Sequence, residues 1–247
     1  MITNPKVICV MTTYGRFTCV ERSIKCFLEQ DYENKVLFIL NTASIPLETD
    51  LKNVIICNNN IDIKTGVFYD NVGDIRKDAF NMCYDTDAIY ICWDDDDIYH
   101  SKQHISRGVQ GLLNNPDKSA WKPKYSYWTP NGGITFEKAE NAMEASVLTW
   151  FKDIQGTDFI KSNGGEHGWY YNLWRQGLIQ VDDVEPSYTY VWGESIAPHK
   201  QSGDINNPNC FEKHKQYSTD FGDRKLVELD YSVCEQWSNL IQQNLKN

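Results

Sequence analysis

The chain has 247 residues, 41% of them hydrophobic, and a formal net charge of −10. That length gives one large domain or two small ones with enough apolar material for a core. The acidic balance argues against generic electrostatic binding to nucleic acid, though a local basic groove stays compatible with it. No apolar run approaches the roughly 18–20 residues that a membrane-crossing helix needs. The first six residues lack the charged-then-apolar layout of a secretory signal. The eight cysteines include no Cys-x-x-Cys pair, so they read as buried reduced thiols rather than a zinc cage. The expectation is a cytoplasmic protein. There is no G-x-x-x-x-G-K-[ST], G-x-G-x-x-G, H-E-x-x-H or G-x-S-x-G segment, which removes the commonest ATPase, dinucleotide, zinc-protease and serine-hydrolase readings.

In chain order, residues 7–11 form a short, fully apolar strand. A turn at residues 12–16 follows. Thr18 and Glu21 make a T-x-x-E capping box that opens a helix to about Gln30, with Val20, Ile24, Phe27 and Leu28 as its apolar stripe. Residues 36–40 and 54–57 read as two further strands. A helix is expected over about 74–84, and residues 89–93 form a fourth apolar strand. Strand, helix, strand, strand, helix, strand implies a mostly parallel, Rossmann-like sheet.

That fourth strand, Ile89-Tyr90-Ile91-Cys92-Trp93, has no polar alternation, as a strand covered on both faces would not. It runs directly into Asp94-Asp95-Asp96-Asp97. The carboxyl edge of an open α/β sheet is where ligands bind. Four adjacent like charges stay ionised only beside positive charge or ample water. A divalent cation carrying a diphosphate meets that need, because Mg²⁺ and Mn²⁺ favour carboxylate oxygens. Period-two geometry, if it persists past the strand, turns Asp94 and Asp96 the same way as an Asp-x-Asp pair. The alternative is a solvated acidic loop that caps the next helix.

Residues 98–113 are consistent with a helix burying Ile105, Val109 and Leu112. Residues 119–151 are rich in Trp, Tyr, Gly and Pro, and suit either an aromatic platform for sugars and bases or ordinary core. A Gly pair, Glu166 and His167 then precede an aromatic helix closed by Gly177. The helix N-terminus favours an anionic Glu and a neutral imidazole, and plain capping is the alternative. Ser232 and Glu235 form a second capping box before a C-terminal helix carrying Val233, Trp237, Leu240, Ile241 and Leu245. No internal repeat or low-complexity linker interrupts the chain.

Several of these segments together resemble the family 2 glycosyltransferases of the GT-A fold. They are the first strand running into Thr12-Thr13-Tyr14-Gly15-Arg16, the second strand ending in a polar pair, Asn71-x-Gly73-x-x-Arg76, and the Asp cluster followed by Ile98-Tyr99. Gly165-Glu166-His167 with its aromatic helix is similar to that family's acceptor-side Glu-Asp segment. The resemblance spans roughly residues 5–200.

It implies an α/β single domain. Residues 5–115 would bind a nucleotide-sugar, 116–200 would face the acceptor, and 201–247 would form an extension with a helix. Thr12, Thr13, Tyr14 and Arg16 would border the nucleotide. Asn41 stands where the family has an Asp that holds the base, and an amide suits uracil but also another pyrimidine. Arg76 would approach base or diphosphate, and Asp94 and Asp95 would face ribose and phosphate. Asp96, with Asp94 and His199, would hold Mn²⁺ or Mg²⁺.

The activity implied is metal-dependent, inverting transfer from a nucleotide-sugar, UDP-linked by preference. The acceptor is a glycan, a lipid-linked sugar or, if the chain is phage-encoded and works in the host cytoplasm, a hydroxymethylated DNA base. His167 stands where the family has its Asp base. Three readings stay open: His167 as base, Glu166 as base, or altered or absent activity. A nucleotidyltransferase and a non-catalytic binder are the competing functions.

Overall fold

The apolar run that begins at Val7 forms β1 (Val7–Thr13), buried along almost its whole length as a central strand covered on both faces must be. Around it a computed structural model describes residues 3–14, 16–156, 159–161, 167–192 and 225–245. After β1 come α1 (Phe17–Leu28), β2 (Lys35–Asn41), β3 (Glu48–Thr49), β4 (Val54–Asn58), α2 (Val72–Met82) and β5 (Ile89–Cys92). The second half holds α3 (His104–Asn114), β6 (Ala120–Pro123), β7 (Tyr125–Thr129), β8 (Glu137–Glu140), a 3-10 turn (Glu144–Ser146), β9 (Leu148–Trp150) and α4 (Phe151–Ile154). It closes with α5 (Gly168–Arg175), β10 (Ile179–Asp182), β11 (Thr189–Val191), β12 (Lys225–Leu226) and α6 (Val233–Leu245).

The main sheet has the order β10-β6-β9-β5-β1-β2-β4. Strands β5, β1, β2 and β4 pair in parallel, and β10 pairs in parallel with β6. Strand β9 alone runs against its neighbours β5 and β6. The mostly parallel α/β sheet expected from the sequence is therefore present. A second sheet, β11-β7-β8, stands beside it. Among the described residues no helix is long and apolar enough to cross a membrane, and the described cysteines are free thiols.

Two expected helix starts shift, each for a local reason. Thr18 lies inside α1 rather than at its cap, and Arg16 takes the cap position without a side-chain cap bond. The helix expected from residue 98 begins at His104, because Ile98 exchanges backbone hydrogen bonds with Thr189 at 3.1 and 2.8 Å. The other end signals hold. At the end of α5, Gly177 adopts φ 67°, and Gly177 and Leu178 donate their N–H groups to the Trp174 and Leu173 carbonyls, a Schellman closure.

At the start of α6, Ser232 Oγ accepts the Glu235 N–H at 3.1 Å. Glu29, at the end of α1, accepts the N–H groups of Val233 and Cys234 as well as the Ser232 hydroxyl. A carboxylate there satisfies orphan amides and suits the helix dipole.

The aromatic segment resolves as core at its centre. Trp121 is fully buried and Tyr127 nearly so. Helix α3 lies so close that a Cβ at Gly111 would stand 2.1 Å from Trp121 Cδ1. Of the two readings of this segment, ordinary core holds for Trp121 and Tyr127, while Tyr125 and Trp128 are half-buried.

Two buried histidines fasten the 98–104 segment to residues 186–189. His100 Nε2–H donates to Pro186 O at 2.8 Å, and its Nδ1 accepts from Thr189 Oγ1 at 2.9 Å. His104 Nδ1 lies 2.6 Å from Ser187 Oγ. Burial pushes the His100 pKa from 6.5 down to about 4 and that of His104 to about 3. The unfolded chain binds these protons near pH 6.5 and the native chain does not. Stability is therefore complete above that pH and falls as pH drops toward 4, by about 1.4 kcal/mol per unit per histidine. The urea midpoint should decline between pH 7 and pH 5, and His100→Gln should make that decline shallower. Equal slopes in the two proteins would refute the assignment.

Candidate active site at the carboxyl edge of β5

Strand β5 leaves the sheet at Cys92, and the Trp93 N–H still donates to Val10 O at 2.9 Å. Beyond that point the four aspartates fan out. Arg76 serves Asp94, Arg16 bridges Asp95 and Asp96, and Asp97 turns to β11, so that adjacent carboxylates in a low-dielectric setting are each met by a donor.

Asp94 pairs with Arg76 Nη2 at 2.7 Å, and its side chain keeps 20% exposure. Asp95 is buried between Thr13, whose hydroxyl donates to it at 2.7 Å, and Arg16, whose Nε donates at 3.0 Å; a second Arg16 contact runs from Nη2. Asp96 accepts Arg16 Nη1 at 2.7 Å. Asp97, fully buried, accepts the Tyr188 hydroxyl and, at 2.9 Å, the Val191 N–H. It anchors β11. Burial pushes the Asp95 carboxyl above its ordinary range and Asp96 adds to that, while Arg16 and Thr13 pull it back.

The expected Asp94–Asp96 pair is therefore not the arrangement found. The strand ends at Cys92, so period two does not carry through the tetrad, and the two carboxylates face different arginines. Among the described residues no three His, Cys, Asp or Glu side chains converge as a cation cage.

Helix α1 braces this edge. Ser23 Oγ donates to Asp94 O at 2.9 Å, and Arg22 Nη2 donates to Asp96 O at 3.3 Å. Stacked Trp93 and Tyr99 rings, 3.6 Å apart, lie beneath.

The other expected donor residues lie at the same edge with uneven exposure. Thr12 and Tyr14, at the end of β1, are half-buried, and Thr13 is buried. Arg16, also expected at the nucleotide, is buried and holds carboxylates. Asn41 is fully buried. Its amide donates to Ile45 O and Asn58 Oδ1 and accepts the Ala43 N–H, so it shapes the loop after β2. Arg76 is oriented by α2, whose cap Asn71 accepts the Asp74 N–H at 2.9 Å. Its Nη1 also touches Cys92 Sγ. Glu166 and His199 lie outside the described residues.

His167 precedes α5 and is 1% exposed. Its Nδ1 accepts the Trp169 indole N–H at 3.2 Å. Its Nε2 lies 3.5 Å from Glu144 Oε1 and 4.0 Å from Cys92 Sγ. The structure thus links His167 to the tip of β5, and adds Glu144, which the sequence reading did not single out. The available signal was its position just before the apolar run 145–151.

No family model matches this sequence, and no curated protein matches it either. Solved structures do. Staphylococcus aureus TarS 1–349, in complex with UDP, superposes with a TM-score of 0.57 at 10% identity, over 97% of this chain and 70% of that one. The mannosyltransferase PcManGT from Pyrobaculum calidifontis, in complex with GDP-Man and Mn²⁺, gives 0.55 at 11%, over 90% and 66%. Glucosyl-3-phosphoglycerate synthase from Mycobacterium tuberculosis gives 0.57 at 11%, over 89% and 81%. The fold is the GT-A fold of these glycosyltransferases, as expected from the sequence.

Arg16 is bonded to both buried carboxylates, Asp95 and Asp96. Removing one partner of such a buried pair typically costs about 3–5 kcal/mol. Arg16→Ala should lower unfolding free energy by that order in a urea titration, and Arg16→Lys by less. A change under about 1 kcal/mol would show that the pair does not hold this edge.

Proposed function

We propose that the chain transfers a sugar from a nucleotide-sugar to a hydroxyl acceptor by an inverting displacement. The observation that carries this is the half-buried Asp94–Arg76 pair at the carboxyl edge of β5, where open α/β sheets bind ligands. Behind it, buried carboxylates are held by Arg16. In this reading residues 5–115 bind the donor, 116–200 face the acceptor, and 201–247 form an extension.

Thr12 and Tyr14 border the nucleotide, and Arg76 meets the diphosphate with charge-assisted hydrogen bonds. Thr13, Arg16 and Asp95 hold the edge in shape, and Asn41 fixes the loop beside the base. UDP is the favoured nucleotide, supported by the UDP carried by TarS. The GDP-Man of the mannosyltransferase keeps guanosine donors in the test. A nucleotidyltransferase is disfavoured, because Arg16, the cation of the loop after β1, is committed to Asp95 and Asp96.

The donor set suits a hard divalent cation. Asp94 is an accessible carboxylate, and Mg²⁺ or Mn²⁺ is commonly held by one or two carboxylates plus substrate phosphates. Asp94 would hold it, with Asp96 and His199 as the further candidates. When bound, the cation supplies positive charge to the departing diphosphate. Glycans and lipid-linked sugars are the acceptors we favour. A DNA base is left without the Trp121 platform.

Calorimetry with UDP, UDP-glucose and GDP-mannose, in Mn²⁺ and in EDTA, tests this. One donor should bind in Mn²⁺, weaken at least about tenfold in EDTA, and weaken similarly in Asp94→Ala, the loss of a charge-assisted contact. Undiminished donor binding by that variant would sink the assignment.

A further inference from the structure

The group that removes the acceptor proton has to be an accessible lone pair near the donor's anomeric carbon. His167 does not present one. Its Nδ1 is occupied by the Trp169 indole N–H, so the neutral ring carries its proton on Nε2. That nitrogen lies 3.5 Å from Glu144 Oε1 and 4.0 Å from Cys92 Sγ. The ring itself is buried against Phe159 and Trp169. Glu144 is different: its side chain is 29% exposed. We propose that Glu144 accepts the acceptor's hydroxyl proton and that the buried His167 positions it. This rests on the transferase reading above.

The placement of Glu144 is built into the fold. Strand β9 runs antiparallel to β5, with Leu148 opposite Ile91. The residues before β9 therefore lie at the same edge as the residues after β5. The Tyr99 hydroxyl joins the two, lying 3.0 Å from Cys92 O and 2.9 Å from Ala145 O. The turn is fixed from its other side by Asn141, which donates to Pro123 O at 3.0 Å and to Ser146 Oγ at 2.7 Å and accepts the Met143 N–H. Lys122 is buried beneath it. The Lys122 amine donates to Asn141 O and, at 3.0 Å, to Tyr170 Oη.

From Glu144 the side-chain contacts run through His167 Nε2, Cys92 Sγ and Asp94 Oδ1 in steps of 3.5, 4.0 and 3.6 Å. A carboxylate carried on a turn fixed in this way lies a few side chains from Asp94, and a fixed backbone limits the orientations it can take. The long His167–Glu144 contact is of the kind that tightens when substrate binds.

The step balances. The acceptor oxygen forms a bond to the anomeric carbon as the bond from that carbon to the diphosphate oxygen breaks. The nucleoside diphosphate leaves with that electron pair, and the hydroxyl proton passes to the Glu144 carboxylate. Water in place of the acceptor gives donor hydrolysis by the same route.

The test uses the full chain, with UDP-glucose and GDP-mannose as donors and water as acceptor, following release of nucleoside diphosphate. Glu144→Gln should lower kcat by about 10²–10⁴-fold while donor affinity stays within about twofold. Glu144→Asp should recover part of the rate. His167→Asn should lower kcat with donor KM unchanged, a split that general loosening of the fold would not produce.

Wild-type turnover by Glu144→Gln with donor bound overturns the proposal, as does loss of turnover in Glu166→Gln with Glu144→Gln unaffected. Donor binding by the variants without turnover leaves the transferase reading standing and supports Glu144. A wild-type chain that neither binds nor hydrolyses either donor overturns both.

Discussion

Carboxylates crowded at the end of one strand repel one another, and burial strengthens that repulsion. The architecture around β5 is arranged to meet this constraint. Positive charge and hydrogen-bond donors arrive from separate elements: Arg16 from the start of α1, Arg76 from α2, Thr13 from β1 and Tyr188 from the segment before β11. Each carboxylate that is neutralised also ties its donor's element to the tip of β5. The cluster therefore works as a junction. Loop, helix and second sheet are registered against one another through it.

Much of the sheet was readable because its central strands are unbroken apolar runs, and burial on two faces demands that composition. The acidic run was readable as a site because of where it follows an apolar strand. What sequence could not resolve was the division of labour within it. Asp94 and Asp97 differ only by three positions in a repeat of one residue, yet one reaches solvent and the other anchors β11. That difference is set by Tyr188 and Arg76, which are distant in sequence. Trp121 stayed open between two readings for a related reason. Whether an aromatic ring is a platform or core depends on how near the next helix approaches, and Gly111 permits a very near one. The T-x-x-E pattern in α1 lost to the pull of two buried carboxylates on Arg16.

Strand direction accounts for the residue that was passed over. The rule that sites gather at carboxyl ends of strands holds for parallel strands. In a mixed sheet an antiparallel member brings its amino end to the same edge. Glu144 precedes β9, the reversed strand, and so reaches the edge that Asp94 reaches by following β5. No periodicity reveals that β9 is reversed, because a short apolar run reads the same in both directions. The turn holding Glu144 is then made rigid by Asn141 and Tyr99, residues whose polarity in an aromatic segment gave no hint of their partners.

Glu29 carries a consequence for how the chain assembles. It is joined to Ser232, Val233 and Cys234, more than two hundred positions further along. Arg22, on the same helix, lies over the Trp237 ring. The first helix thus finishes its surroundings only once residues 232–241 have docked. Contacts of such separation are slow to form, since a long loop must close before they contribute.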